Sequence, residues 1–271
     1  MYYGVPLIRL RLPALPDLDN TSGGIVYKVD LLYYYFFGNP RKFFIYKGGK
    51  LMKNKKLSNL VITAILVAVA IVVDIITSSI PGLNLRMPFG GSLFGLSMIP
   101  LVLIGLMFGL KYGLVGGLVY ALYNFTFDYL VYLSSLTWLL GLGAMSVIGV
   151  VLLDYLIPFT AFGLSGLFYK DNLKNGLNII KAVTLVSAIR FLSSTLAGVL
   201  LWSGSITDAA SNNEKNIAVS IYNFVGNNIL LYSAVYNFIY IFTTGLVSII
   251  ILLISRKSLE TIVDTRLSSV S

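Results

Sequence analysis

From Met52 onward the chain is a succession of long apolar runs broken by short polar connections. Six runs stand out, at approximately 58–80, 93–110, 112–134, 137–168, 177–203 and 228–255. Each is near the roughly 20 residues that an α-helix needs to cross about 30 Å of hydrocarbon. The pattern predicts an all-α, polytopic integral membrane protein with six transmembrane helices. The fourth run is too long for one straight crossing, so its beginning is expected to be a re-entrant or interfacial segment. The connection "IPGLNLRMPFGGS" (80–92) is rich in Pro and Gly, and "SGSITDAASNNEKN" (203–216) reads as polar and flexible. These two fall on the same side of the membrane, and the first is the best placed to act as an external gate. The "GLVGGLVYAL" run in the third span (113–122) suggests close helix packing through small residues.

Residues 1–51 follow a different pattern. Prolines, glycines and charges recur there at no helical or strand period, and the aromatic stretch "DLLYYYFFGNPRKFFIYKGGK" (30–50) is too short to span. At Met52 the text changes to "MKNKKLSNLVITAILVAVAIVVDII", a basic start running into an apolar helix. The chain is therefore divided into an extension, 1–51, and a six-helix domain, 52–271. The extension is read either as sequence upstream of a natural start at Met52 or as an interfacial segment with basic and aromatic anchors.

Composition agrees with the pattern, since 57% of residues are hydrophobic and 11% charged, against roughly 25% charged in soluble domains. The net charge of +9 would suggest nucleic acid in a soluble protein. Here its placement gives another answer. Lys53, Lys55 and Lys56, Lys111, Lys170, Lys174 and Lys181, and Arg256 and Lys257 all share one side, and the other side has only Arg86 and Lys215. By the positive-inside rule both termini are cytoplasmic, the location is a cell membrane crossed several times, and no nucleic-acid partner is expected. There is no cysteine and no histidine, so disulfides, thiolate metal sites and the commonest general base are excluded. No G-x-x-x-x-G-K-[ST] loop occurs either, so the chain has no recognised route to ATP hydrolysis. No enzymatic activity, cofactor or metal site is expected.

Polar residues inside the spans carry the remaining information. Asp154 lies in the first half of span four, where an aspartate costs about 2.5–3.5 kcal/mol on insertion scales, and Tyr155 follows it. Span five carries Arg190, Ser194, Gly198 and Trp202 at intervals of four, a slowly winding stripe about 18 Å long. Span six carries Tyr232, Tyr236, Asn237 and Tyr240. Two accounts fit this set. In one, Asp154 and Arg190 are a buried ion pair, Gly198 is a packing contact and the aromatic residues form an interfacial belt. In the other, the set lines a ligand cavity with a carboxylate for a cationic group, aromatic faces for a flat heterocycle and Asn237 for hydrogen bonding. Asp74 and Asp128 are scattered over other spans and read as solvated or hydrogen-bonded packing residues.

Four local patterns carry a family resemblance. They are "AILVA" (64–68) in span one, "LLDYLIPFTAFGLSGLF" (152–168) in span four, "IRFLSSTLAGVLLWS" (189–203) in span five and "YSAVYN" (232–237) in span six. Together they resemble the S component of an energy-coupling factor vitamin transporter, most of all the thiamine-specific family, over about 60–257. The resemblance implies ligand contacts at Asp154, Tyr155, Arg190, Ser194, Gly198, Trp202, Tyr232 and Asn237. It implies docking of a transmembrane coupling subunit on Ala64 and Ala68, with two cytoplasmic ATPases supplying energy. In this sequence Asp154 replaces the usual glutamate, Arg190 the usual lysine and Ser194 a histidine. Two tryptophans of the family are also missing, one before span two and one after Trp202. Thiamine, a permanent cation with a flat aminopyrimidine, is the implied ligand, and Arg190 is expected to orient Asp154 without touching the ligand. The alternatives are an S component for another vitamin or precursor, and a self-sufficient secondary transporter or channel for a small cation that uses Asp154 and Arg190 as a relay. A membrane enzyme would need acidic residues gathered at one face.

Overall fold

The computed structural model describes residues 55–80, 84–131, 133–171 and 175–270, so the readings placed on residues 1–51 and on a start at Met52 lie outside the described residues. Apart from one isolated bridge, Arg86 with Ser92, the regular structure among the described residues is helical. Ten α-helices follow in order: α1 Lys55–Ser79, α2 Met98–Phe108, α3 Leu110–Phe125, α4 Leu133–Gly141, α5 Ala144–Gly149, α6 Ile157–Thr160, α7 Gly176–Leu200, α8 Ser203–Ser211, α9 Ile217–Phe224 and α10 Ile229–Val270. Two π-helical stretches, Thr126–Leu130 and Val150–Leu156, and a 3₁₀ stretch, Ala161–Asp171, complete them.

Among the described residues, four segments are long and apolar enough to cross a membrane: Lys56–Ser79, Ala144–Tyr169, Gly176–Leu200 and Ile229–Thr261. A fifth crossing exists if Leu110–Leu130 and Ser135–Gly141, bent by 96°, count as one. The run read as a second span contains only the eleven residues of α2. At 1.5 Å per residue α2 covers about 16 Å, roughly half the hydrocarbon thickness. Its short length is tolerated because protein, rather than lipid, surrounds it: Leu101, Val102, Ile104 and Leu106 are at most 1% exposed. The overlong fourth run resolves into two pieces. α4 ends before Gly143, whose φ of +85° favours glycine, and the crossing begins at Ala144.

α2 is the centre of the larger core. Val67 and Ala70 of α1, Tyr120 of α3, Phe162, Val183 and Val186 of α7, and Leu252 of α10 pack in the same cluster. Glycines set how closely its neighbours approach. A Cβ on Gly113 would lie 2.8 Å from Gly163 Cα, and one on Gly117 would lie 2.6 Å from the Phe159 carbonyl oxygen. A Cβ on Gly163 would overlap the backbone of Gly113 and Leu114, and one on Gly166 the backbone of Gly109 and Leu110. The slender 3₁₀ stretch thus lies with its main chain against the main chain of α3, a contact open only to glycine.

A second, smaller cluster caps the other end. Ile206 and Ala209 of α8, Ala218, Val219 and Tyr222 of α9, and Tyr232 and Tyr236 of α10 pack around Met87 from the 84–95 connection. The 203–216 connection is therefore not the flexible strand of polar residues expected from its composition. Ile206 and Ala209 are three apart and land on one helical face, and Asn216 Oδ1 caps α9 by accepting the Val219 N–H at 2.9 Å. Replacing Gly163 by Val should lower the melting temperature in detergent strongly, at a cost of about 3 kcal/mol or more, since the atoms nearest the new Cβ are backbone and cannot swing aside. Gly204→Ala, with nothing within 4 Å of the added carbon, should leave the melt unchanged.

Candidate functional site

The antiparallel spans collect particular ends. The end of α1, the start of α2, the end of α3 with the π-helical turn that follows, the first half of the crossing Ala144–Tyr169, the end of α7 and the start of α10 all meet around one cavity of about 780 Å³. Small-molecule sites typically enclose roughly 300–1,000 Å³. All eight residues read from the sequence as ligand contacts, Asp154, Tyr155, Arg190, Ser194, Gly198, Trp202, Tyr232 and Asn237, border it. Ala64 and Ala68 do not, and are exposed on the outer face of α1.

Local backbone geometry delivers Asp154. It sits in the π-helical stretch Val150–Leu156, where the Ile157 N–H bonds the carbonyl five residues back, at Leu152. In the same register the next donor would be residue 158, a proline without an N–H. The carbonyl of Leu153 is thereby released, and Ser193 Oγ of α7 donates to it at 2.7 Å. The wide turn and this cross-helix bond fix Asp154 at the cavity wall. Asp128 lies in the other π-helical turn and accepts a hydrogen bond from Tyr155 Oη at 2.8 Å. Such turns are rare and gather at functional sites.

The expected partnership of Arg190 with Asp154 is not formed. Asp154 Oδ2 instead accepts the indole N–H of Trp202 at 2.7 Å. The guanidinium of Arg190 lies 4.8 Å over the Phe162 ring, its Nη1 is 3.9 Å from Met98 Sδ, and its Nε is buried without a hydrogen-bond partner. Helical side chains lean toward their own N-terminus, and these two crossings run antiparallel. Asp154 therefore leans toward the C-terminal end of α7 and meets Trp202, whereas Arg190 leans the other way, onto the core.

Other expected contacts have structural duties as well. Asn237 Oδ1 accepts from Tyr240 Oη at 2.7 Å, and its Nδ2 donates to the carbonyls of Ser233 at 2.8 Å and Ser194 at 3.3 Å. Gly198 leaves room for α10, because a Cβ there would overlap Ser233 Oγ. Tyr232 packs edge-on against Tyr222, with ring centroids 5.7 Å apart.

The cavity also holds groups that span-by-span reading passed over. Asp74 is hydrogen-bonded by Tyr120 Oη, which also lies 2.9 Å from Ser97 Oγ. Trp138, on α4, stacks on Trp202 with planes 6° apart and centroids 5.6 Å apart. The second indole that seemed lost after span five is thus supplied from before span four. Tyr236 Oη accepts the Phe89 N–H and donates to the Gly90 carbonyl, both at 3.0 Å, fastening the 84–95 connection to α10. The high cost of carboxylates in a membrane was the available signal for Asp74 and Asp128. No periodicity pointed to Trp138, because it lies beyond a bend. Ser193→Ala should strand the Leu153 carbonyl and cost about 1–3 kcal/mol in a detergent melt, with Ser193→Thr restoring most of it.

Comparison with known proteins extends this picture. No curated protein matches the chain. The solved structure of ThiT from Listeria monocytogenes is similar, with 25% identity and a TM-score of 0.53, covering 78% of this chain and 99% of that one. The family described as thiamine transporter protein (Thia_YuaJ) matches residues 60–212, which contain the first five apolar runs and most of the cavity wall. This is a family of transporters rather than enzymes, and it is the one that the motifs of spans one, four, five and six resemble. With more than half of its length matched, this multi-pass membrane chain belongs to the thiamine transporter protein family.

Proposed function

We propose that this chain is the thiamine-binding S component of an energy-coupling factor importer in a cell membrane, with its functional body in 52–271. Charge complementarity carries the choice of ligand. Three carboxylates, Asp74, Asp128 and Asp154, and two guanidiniums, Arg86 and Arg190, border the cavity, leaving one net negative charge for a monocation to neutralise. The parallel indoles of Trp138 and Trp202 beside Asp154 offer a flat aromatic surface next to a desolvated carboxylate, as a thiazolium joined to an aminopyrimidine requires. In this reading Asp154 faces the cation, Tyr155 and Tyr232 complete the aromatic wall, and Ser194, Gly198 and Asn237 shape it. Arg190 forms the floor.

The rest of the assembly follows from where charge and small residues lie. Lys56, Lys111, Lys181, Arg256 and Lys257 are at the helix ends away from the cavity, where the Lys56 carbonyl meets Tyr112 Oη and Arg256 approaches Gly176. With that end cytoplasmic, as the positive-inside rule requires, both termini face inward and the cavity opens outward. Six membrane segments then include α2 as a short, protein-encased one. The exposed Ala64 and Ala68 let helices of the coupling subunit approach α1, and two cytoplasmic ATPases supply the energy.

The first test is a titration of the purified protein with thiamine, followed by tryptophan fluorescence. Both tryptophans border the cavity, so saturable quenching is expected. Asp154→Asn keeps an acceptor oxygen for Trp202 while removing the charge and turning the other oxygen into an NH₂ donor, so affinity should fall by about ten- to a hundredfold, the size of one charge-assisted hydrogen bond. Unaltered affinity would remove Asp154 from the site. Ala68→Trp should abolish uptake in cells while leaving binding intact. Uptake driven by an ion gradient in vesicles holding this chain alone would favour a secondary transporter instead.

A further inference from the structure

The two guanidiniums of the cavity are held differently. Arg190 belongs to a membrane-crossing helix and is packed against Phe162 and Met98. Arg86 belongs to the connection between α1 and α2, on the bridge it forms with Ser92, and is exposed. Its Nη2 donates to Ser78 Oγ at 2.8 Å, which parks the guanidinium at the end of α1, one turn beyond Asp74. The connection that carries it is fixed at several points. Met87 is buried in the cap cluster, Tyr236 holds Phe89 and Gly90, and Thr244 Oγ1 accepts the Gly95 N–H at 3.2 Å. Arg86 is thus a positive charge set at the cavity rim, on the same cavity as Asp74 and Asp128 yet bonded to neither, and both carboxylates lie within its electrostatic reach.

We propose that Arg86 is a specificity-determining residue: a resident counter-cation, held at the rim by Ser78, that trims the field of Asp74 and Asp128 so that the cavity balances one ligand charge rather than two. The inference deepens the reading of the cavity as a site for a cationic vitamin and rests on it. With Arg86 present, three carboxylates face two guanidiniums. With Arg86 neutralised, the excess is two negative charges, and the attraction for any cation grows. A positive charge roughly 8–10 Å away, at the effective dielectric of a partly wetted site, changes the affinity of a monocation by about two- to fivefold.

Two readouts separate this inference from the choice of ligand. The first uses collisional quenching of the two tryptophans in non-ionic detergent by caesium, iodide and acrylamide, and needs no vitamin. In Arg86→Gln the caesium quenching constant should rise about two- to fivefold and the iodide constant fall, with acrylamide unchanged. Arg86→Lys and Ser78→Ala, which keep the charge, should stay near wild type. The second readout is thiamine affinity, which should tighten by a similar factor in Arg86→Gln, whereas the uncharged aminopyrimidine alcohol that makes up half of thiamine should bind both proteins alike. Caesium quenching that does not change, or all three quenchers changing together, would overturn the role of Arg86. Weaker thiamine binding in Arg86→Gln would do so too. A wild-type protein that fails to bind thiamine would defeat the ligand assignment, and the quenching ratios would still decide whether Arg86 sets the field of the cavity.

Discussion

A peptide group inside a bilayer has no water to bond, so any departure from a regular helix must be repaired by protein. The crossing Ala144–Tyr169 departs twice, and the rest of the molecule is arranged around those repairs. Its first half widens into a π-helix, and Pro158 leaves the Leu153 carbonyl without a backbone donor, so Ser193 of α7 supplies one. Its second half narrows into a 3₁₀ helix, which Gly163 and Gly166 allow to lie backbone to backbone on α3. The wide half carries Asp154 and Tyr155 to the cavity, and the narrow half closes the core around α2. One segment therefore divides the molecule into a polar end and a sealed end.

That division organises the electrostatics. Every carboxylate bordering the cavity is met by hydroxyl or indole donors from the protein: Tyr120 and Ser97 for Asp74, Tyr155 for Asp128 and Trp202 for Asp154. Among the described residues none is matched by a close ion pair, so each keeps acceptor capacity and its field extends into the cavity. A fully paired site would be electrically quiet and would hold a cation poorly. Arg190 lies on an aromatic ring, turned from Asp154, and Arg86 is parked on Ser78. These are the arrangements that leave the carboxylates free to act.

Much of the cavity was legible in the chain. Carboxylates are costly in a membrane, and four-residue spacing fixes one face of a helix, so Asp154 and the stripe from Arg190 to Trp202 could be placed together before any fold was known. The pairing of Arg190 with Asp154 was misjudged because spacing gives the face of a helix and not the partner across it. Antiparallel lean decided that, and it sent the two side chains in opposite directions. Trp138 was missed for a related reason. It follows a bend of 96° that no periodicity marks, and only the folded chain brings its ring onto Trp202.

By itself the sequence determined the solvent, the helical class, the approximate positions of the crossings and the residues too polar to face lipid, because each follows from transfer free energy and helical period. It also determined the family, through short motifs that survive in order along the chain. Tertiary structure alone decided that the 93–110 run is a short helix encased by protein, that 203–216 folds into a cap, and that carboxylates from three different helical segments share one cavity with a stacked indole pair. Those outcomes depend on contacts between residues far apart in the chain, and local periodicity holds no information about which distant surface a helix will meet.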